Sequence, residues 1–293
     1  MKQIRIGTLV GGQDAVRVLP QIIPHGFESF SLTFWQTTGN TDLKELSKQV
    51  HEILDEKQIP VSSLSVFGNP LTGEGDNADT LNSWKRLIDH AEDFGTDLVT
   101  GFTGRMPGAI DESIPRYTEV FGELGRYAES KGVRIAFENC NMDGTWEKGD
   151  WNIAHHPAAW EMMFHAVPLD NIGLQWEPCH QMVSLIDPIP QLRKWVHKVF
   201  NVHGKDATIA WDVVKEQGIH GPKPFVWHRT PGFGDTNWTD IISILRQAGY
   251  EGSIDIEGWH DPVYRGDLEM TGQVHALNYL KQCRGGSYVP NPV

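Results

Sequence analysis

A single (β/α)8 TIM barrel of the α/β class is the fold this sequence predicts, on three observations. Short β-rich runs alternate with longer amphipathic stretches along 293 residues, several of those stretches stop at a glycine just before the next run, and no linker-like segment divides them. Strands alternating with helices of this length pair in parallel, and about eight such units close the sheet on itself. The expected organisation is one domain over residues 1–293. A polar, proline-containing arm, "RGGSYVPNPV" at about 284–293, is expected to pack on the body or on a neighbouring subunit.

The first strand is expected at Arg5–Val10, in a start, "MKQIRIGTLVGG", that lacks the basic-then-apolar pattern of a secretory leader. Ser29–Trp35 comes second, followed by "TDLKELSKQVHEILDEKQ" with apolar residues at helical spacing. Ser62–Phe67 precedes "TLNSWKRLIDHAEDFG", and Leu98–Phe102 precedes "PRYTEVFGELGRYAESKG". Arg134–Asn139 and "HPAAWEMMFHAV" form the fifth unit, Ile172–Glu177 and "PIPQLRKWVHK" the sixth. Val199–Lys205 is the seventh strand. Ser253–Gly258 is the eighth, placed after "NWTDIISILRQAGY" and before a last helical stretch, "TGQVHALNYLKQC". Gly95, Gly132 and Gly249 are the expected left-handed helix stops, and Asn237 or Thr239 can cap the helix beginning near Trp238. The longest non-periodic segments, "CNMDGTWEKGDWNIAH" and "DATIAWDVVKEQGIHGPKPFVWHRTPGFGDT", each follow a strand tip and so fall on one rim.

Composition excludes several classes. No apolar run is long enough to span a bilayer, so the expected compartment is the cytoplasm, without a membrane partner. A formal net charge of -13 repels phosphate backbones and disfavours nucleic acid as a partner. The three cysteines, Cys140, Cys179 and Cys283, are odd in number and lack a C-x-x-C pair, so they read as reduced thiols. Eleven tryptophans fit a core, a subunit interface or a sugar-stacking surface, and the count does not choose among them.

In a βα barrel the C-terminal strand ends form the active face, so ionisable residues there carry functional weight. "RIAFEN" ends the fifth strand with Glu138, "GLQWEP" the sixth with Glu177, "FNVHGKD" the seventh with His203 and "SIDIEGW" the eighth with Glu257. Neighbouring strands lie under about 5 Å apart, so four consecutive tips can converge. Three crowded carboxylates repel unless one keeps its proton or a cation joins them. Three oxygen donors and one imidazole suit one divalent ion, Mn²⁺ foremost, with Mg²⁺ or Co²⁺ as alternatives, better than a closed structural zinc site.

These motifs, "FEN", "WEPCH", "VHGKD" and "IDIEGW" together with "TPGFGDTNWTDIISILRQAGYEGSIDIE", resemble the xylose isomerase-like superfamily, in particular the sugar isomerase/epimerase branch that contains D-tagatose 3-epimerase and D-psicose (allulose) 3-epimerase. The resemblance implies Glu138, Glu177, His203 and Glu257 as metal ligands and His180 and Arg229 as substrate contacts. It also implies Glu138 and Glu257 as the acid and base, and a homo-oligomer. Two departures stand out. Glu177 occupies a position where most relatives have Asp, and Gly144 falls where the epimerases carry a further acid, so the substrate need not be their free ketohexose.

The chemistry such a site supports is proton removal next to a carbonyl of a carbohydrate, with positive charge stabilising the enediolate and one carboxylate on each face of the carbon. Returning the proton to the other face inverts the stereocentre, which is epimerisation. Losing a β-substituent instead is a lyase reaction, such as dehydration of a keto-inositol or β-elimination from a 3-keto-glycoside. A sugar-binding subunit without catalysis is a third reading. An endonuclease IV-like site is disfavoured, because the early tips "TFWQTT", "VFGNP" and "GFTGRMP" have no histidine. Lys205, Trp35 and Trp151 are further candidate substrate contacts, the tryptophans by stacking or else packing in the core. Asp206 either orients an imidazole or pairs with Lys205. His155 and His156 read as loop or cap residues.

Overall fold

A computed structural model describes residues 3–258, 260–287 and 289–292. Trp259 of the "IDIEGW" motif, Tyr288 and Val293 of the C-terminal arm, and the first two residues of the opening stretch lie outside the described residues.

The chain opens with β1 (Arg5–Gly11), α1 (Ala15–Ile22), β2 (Phe30–Trp35), α2 (Leu43–Leu54), β3 (Val61–Phe67) and α3 (Thr80–His90). It continues with β4 (Leu98–Gly101), α4 (Ile114–Ser130), β5 (Arg134–Glu138), α5 (Pro157–Ala166), β6 (Ile172–Trp176), α6 (Pro178–Val183) and α7 (Pro188–Trp195). The last part holds β7 (Val199–Gly204), β8 (Asp206–Ile209), α8 (Trp211–Gln217), β9 (Val226–Arg229), α9 (Trp238–Gln247), β10 (Ser253–Ile256) and α10 (Glu269–Cys283). The strands form a closed barrel in the order β1-β10-β7-β6-β5-β4-β3-β2, so the predicted fold and all eight expected barrel strands are present.

Every residue of β6 and β10 is buried, as is β5 after its first residue, which is the pattern of strands covered on both faces. The longer helices bury one stripe each. In α2 this is Leu43, Leu46, Val50 and Leu54, and the Asp42 side chain caps the helix by accepting from the Glu45 amide at 3.0 Å. Asn237 does the same for α9, accepting from the Asp240 amide at 3.1 Å. Gly95, Gly132 and Gly249 take φ of 68°, 70° and 76°, the left-handed stops the sequence signalled.

Three features depart from the sequence pattern. Helix α1 forms despite Pro20 inside it, because Ala15, Leu19 and Ile22 bury one face. Helix α6 follows β6 directly, with Glu177 as its N-cap and Pro178 at its first position. The segment after His203, non-periodic in sequence, folds as an antiparallel hairpin in which Asp206 faces Arg229, Ala207 faces His228 and Thr208 faces Trp227.

By internal contacts the chain forms two compact units. One comprises residues up to Thr8, Glu177–His197 and from Val202 onward. The other comprises Leu9–Trp176 and Lys198–Asn201. In the first, β10 lies between β1 and β7, with Ile254 opposite Ile6 on one side and Val202 on the other. Its chain ends are tied together where Arg284 donates to the Ile4 carbonyl at 2.6 Å and Gln3 donates to the Gly286 carbonyl at 3.1 Å. In the second, β2 to β6 pair in sequence order, and Ser31, Ser63, Ser65 and Thr100 form a buried hydroxyl chain with O–O distances of 2.7–3.2 Å. No helix among the described residues is long and apolar enough to cross a membrane.

Candidate active site

Parallel pairing places Asp255 of β10 beside His203 of β7, so Glu257, two residues further on, projects just beyond the strand end. Glu257 Oε2 lies 3.1 Å from His203 Nδ1, and His203 Nδ1 lies 3.8 Å from Glu177 Oε2. Glu177 Oε1 is 2.5 Å from His180 Nε2, one turn along α6. Lys205 donates from Nζ to Glu257 Oε1 at 2.8 Å and lies 3.4 Å from His180 Nε2. His260 approaches the same Glu257 oxygen at 3.2 Å. Glu177 and His203 are fully buried, and Glu257, His180 and Lys205 nearly so.

Burial on its own raises the Glu257 carboxyl. The Lys205 ammonium, with His203 and His260, outweighs it and holds the group well below the usual carboxylate range. For His180, burial and then the neighbouring Lys205 charge push the imidazole well below its ordinary value, so it is neutral at physiological pH.

Glu138 ends β5 and is buried. One ligand atom from each of Glu138, Glu177, His203 and Glu257 lies within 4.8 Å of the other three. Three carboxylates and one imidazole, all buried, form a donor set that fits a hard or borderline divalent cation, and the absence of thiolates from it argues against a closed structural zinc.

The loop after β5 is held by two side chains. Asn152 donates to the carbonyls of Glu138 and Cys140 at 2.9 and 2.8 Å and accepts from the Thr103 hydroxyl at 2.6 Å. Arg105 is fully buried and donates to the carbonyls of Gly108, Thr145 and Trp146 at 3.0, 2.7 and 2.9 Å. The loop presents Trp151, whose ring stands 5.6 Å from Trp35, itself 61% exposed at the tip of β2. Trp151 also meets Phe102 edge-on at 6.4 Å. The second departure from the epimerase pattern has a steric counterpart: a Cβ at Gly144 would lie 2.9 Å from the Asn141 carbonyl oxygen and 3.2 Å from Arg105 Nη1, so a side chain there would force the loop to shift.

Among the other candidates, Arg229 lies on β9 rather than in a loop, and its Nε donates to Asp261 at 3.0 Å. Asp206 does neither of the things expected of it. It accepts from the amides of Ala207 and Thr236 at 2.8 and 3.0 Å and from the Trp238 indole at 3.3 Å, and so pins the hairpin to the start of α9. His156 is a cap, its Nδ1 accepting from the Ala158 amide at 3.1 Å. Two histidines went unrecognised: His260, and His228, whose ring packs edge-on against His180 at 5.1 Å. The alternation in "DATIA" and "FVWHR" was the available strand signal for the hairpin that carries His228.

A closed parallel barrel with buried carboxylates and an imidazole at its C-terminal strand ends is an arrangement that could hold a divalent metal. The sequence profile of the xylose isomerase-like TIM barrel family matches residues 22–283, and the chain belongs to that family. An inosose dehydratase of Clostridium tetani is 26% identical over 194 residues, a match spanning 61% of this chain and 60% of that protein. The 3-keto-D-glucoside 4-epimerase of E. coli superposes with a TM-score of 0.70 at 15% identity, covering 96% of this chain and all of that one (100%). D-allulose 3-epimerase from Methylomonas sp., in complex with D-allulose, gives 0.69 at 15% identity, covering 98% of each chain. At such identities the likeness is one of fold.

Proposed function

We propose that this chain is a divalent-metal-dependent carbohydrate isomerase or epimerase that removes a proton from a carbon next to a carbonyl of a keto-sugar or keto-cyclitol. The observation that carries this reading is the convergence of Glu138, Glu177, His203 and Glu257 within 4.8 Å. These four residues would hold the ion, which when bound would supply positive charge to a developing enediolate. Glu257 is the base. Its ion pair with Lys205 keeps it ionised, and a carboxylate is the form that can accept a proton. Glu138, from a different strand, enters protonated and gives its own proton to the other face, Glu257 keeps the abstracted one, and both re-equilibrate with solvent before the next turnover, with Glu177 and His203 as structural ligands. His180, neutral, donates to a substrate oxygen. Trp35 and Trp151 stack on a sugar face, while Arg229 contacts a distal group of the substrate from beside Asp261.

A second reading, elimination after the same proton removal, draws support from the sequence similarity to an inosose dehydratase. It places Lys205 beside the leaving hydroxyl. Both readings are tested by metal content and solvent-deuterium incorporation, wild type against Glu257→Gln, over ketoses, keto-inositols and 3-keto-glycosides. One metal per wild-type chain, with deuterium in a recovered epimer and turnover reduced roughly 10³-fold in the variant, is the expected result. A dehydrated or cleaved product assigns the chain to the lyases, and a metal-free wild type sinks the site.

A further inference from the structure

The hairpin β8–β9 delivers one side chain that the chemistry above leaves unused. Ala207 and His228 are directly opposed across the two strands, so their side chains share a face. That face packs on α6: Ala207 is buried with Cys179 and Met182, and Ile209 and Val226 pack against them. The imidazole of His228 therefore meets α6 at His180, edge-on with centroids 5.1 Å apart, and it also meets His260 at 5.9 Å. A slip of one residue in the pairing would present Trp227 or Arg229 there instead.

His228 is half-buried, and among the described residues its imidazole packs against rings and makes no hydrogen bond or ion pair. The two cations at its sides are already engaged, Lys205 with Glu257 at 2.8 Å and Arg229 with Asp261 at 3.0 Å. Burial, followed by the charges of Lys205 and His260, lowers the imidazole to about 4, so near neutrality it offers one donor and one acceptor and no charge. Such a group matches a hydroxyl, which also donates and accepts, whereas a fully ionised phosphate uses only the imidazole's donor and leaves its acceptor unused.

We propose that His228 is a specificity-determining residue that hydrogen-bonds a hydroxyl of an uncharged, polyhydroxylated substrate, presented beside His180 by the β8–β9 hairpin. The inference rests on the reading of the chain as a carbohydrate enzyme and names the substrate class of that site.

Equilibrium binding by calorimetry tests it without needing turnover. The probes are a keto-inositol, a 3-keto-glycoside, a ketohexose and the ketohexose phosphate, each titrated into metal-loaded wild type, His228→Leu and His228→Asn. The expected result is binding of an uncharged probe that weakens about tenfold in His228→Leu and recovers to within about threefold in His228→Asn, with metal content unchanged. Binding within twofold of wild type in His228→Leu overturns the inference and leaves the proposed function standing. Tighter binding of the phosphate than of its parent sugar also overturns it, as does loss of metal in the Leu variant. If His228→Leu fails to fold, His228→Phe keeps the ring packing without the nitrogens and decides in its place, and failure of both to fold overturns the inference in favour of a structural role. Wild type that binds none of the probes removes the proposed function, and the inference falls with it.

Discussion

Two regions carry the chemistry-bearing residues, and they are built on opposite plans. Around Glu257 the structure concentrates charge: Lys205, His203 and His260 all lie within 3.2 Å of that carboxylate, at or just beyond the ends of β7 and β10. Around Trp151 it concentrates hydrogen bonds to backbone carbonyls. The post-β5 loop is fastened by Asn152 to carbonyls on its own strand exit, and Arg105 spends its guanidinium on the carbonyls of Gly108, Thr145 and Trp146 rather than on an acid. The first plan tunes protonation states, and the second holds an aromatic surface in place. The contrast indicates that the charged cluster is set by strand register, while the aromatic surface is set by a loop with its own internal scaffold.

The largest expected effect comes from breaking the charge-rich region. Lys205→Met leaves the Glu257 carboxylate buried beside an apolar chain, and the metal-free protein should lose about 3–5 kcal/mol of stability by chemical denaturation. Added divalent metal should restore much of it, because a cation bound by Glu257 replaces the lost ammonium. If the loss is unchanged by metal, the cluster is not the metal's binding site.

Breaking the other region should cost somewhat less and respond differently. Arg105→Met removes the donor from three loop carbonyls, an expected loss of about 1–3 kcal/mol that metal does not recover. Recovery on adding metal would show that the loop is coupled to the cluster, and the contrast drawn here would fail. The smallest effect is expected at Trp35. With 61% of it exposed, Trp35→Ala should change stability by less than about 0.5 kcal/mol while raising KM for the substrate roughly two- to tenfold, the worth of one ring stack. An unchanged KM would assign the Trp35–Trp151 pair to packing alone.

The sequence determined the barrel and its four-residue cluster for a simple physical reason. Strand and helix periods differ, the alternation of periods dictates parallel pairing, and parallel pairing aligns every strand's C-terminal end. Glu138, Glu177, His203 and Glu257 were therefore legible as the ionisable groups that follow apolar runs. Helix α1 was not, because Pro20 reads locally as a breaker while the burial of Leu19 and Ile22 that overrides it is tertiary. Asp206 was misjudged for a similar reason: the neighbouring Lys205 suggests an ion pair, but its partners are the next amide and an amide and an indole 30 and 32 residues away. His228 shows most clearly what only the tertiary structure decided. Nothing in "FVWHR" says which face of the strand meets α6. Pairing with "DATI" settles it, because a hairpin's side chains alternate and the apolar face of Ala207, Ile209 and Val226 must be the one that leaves water.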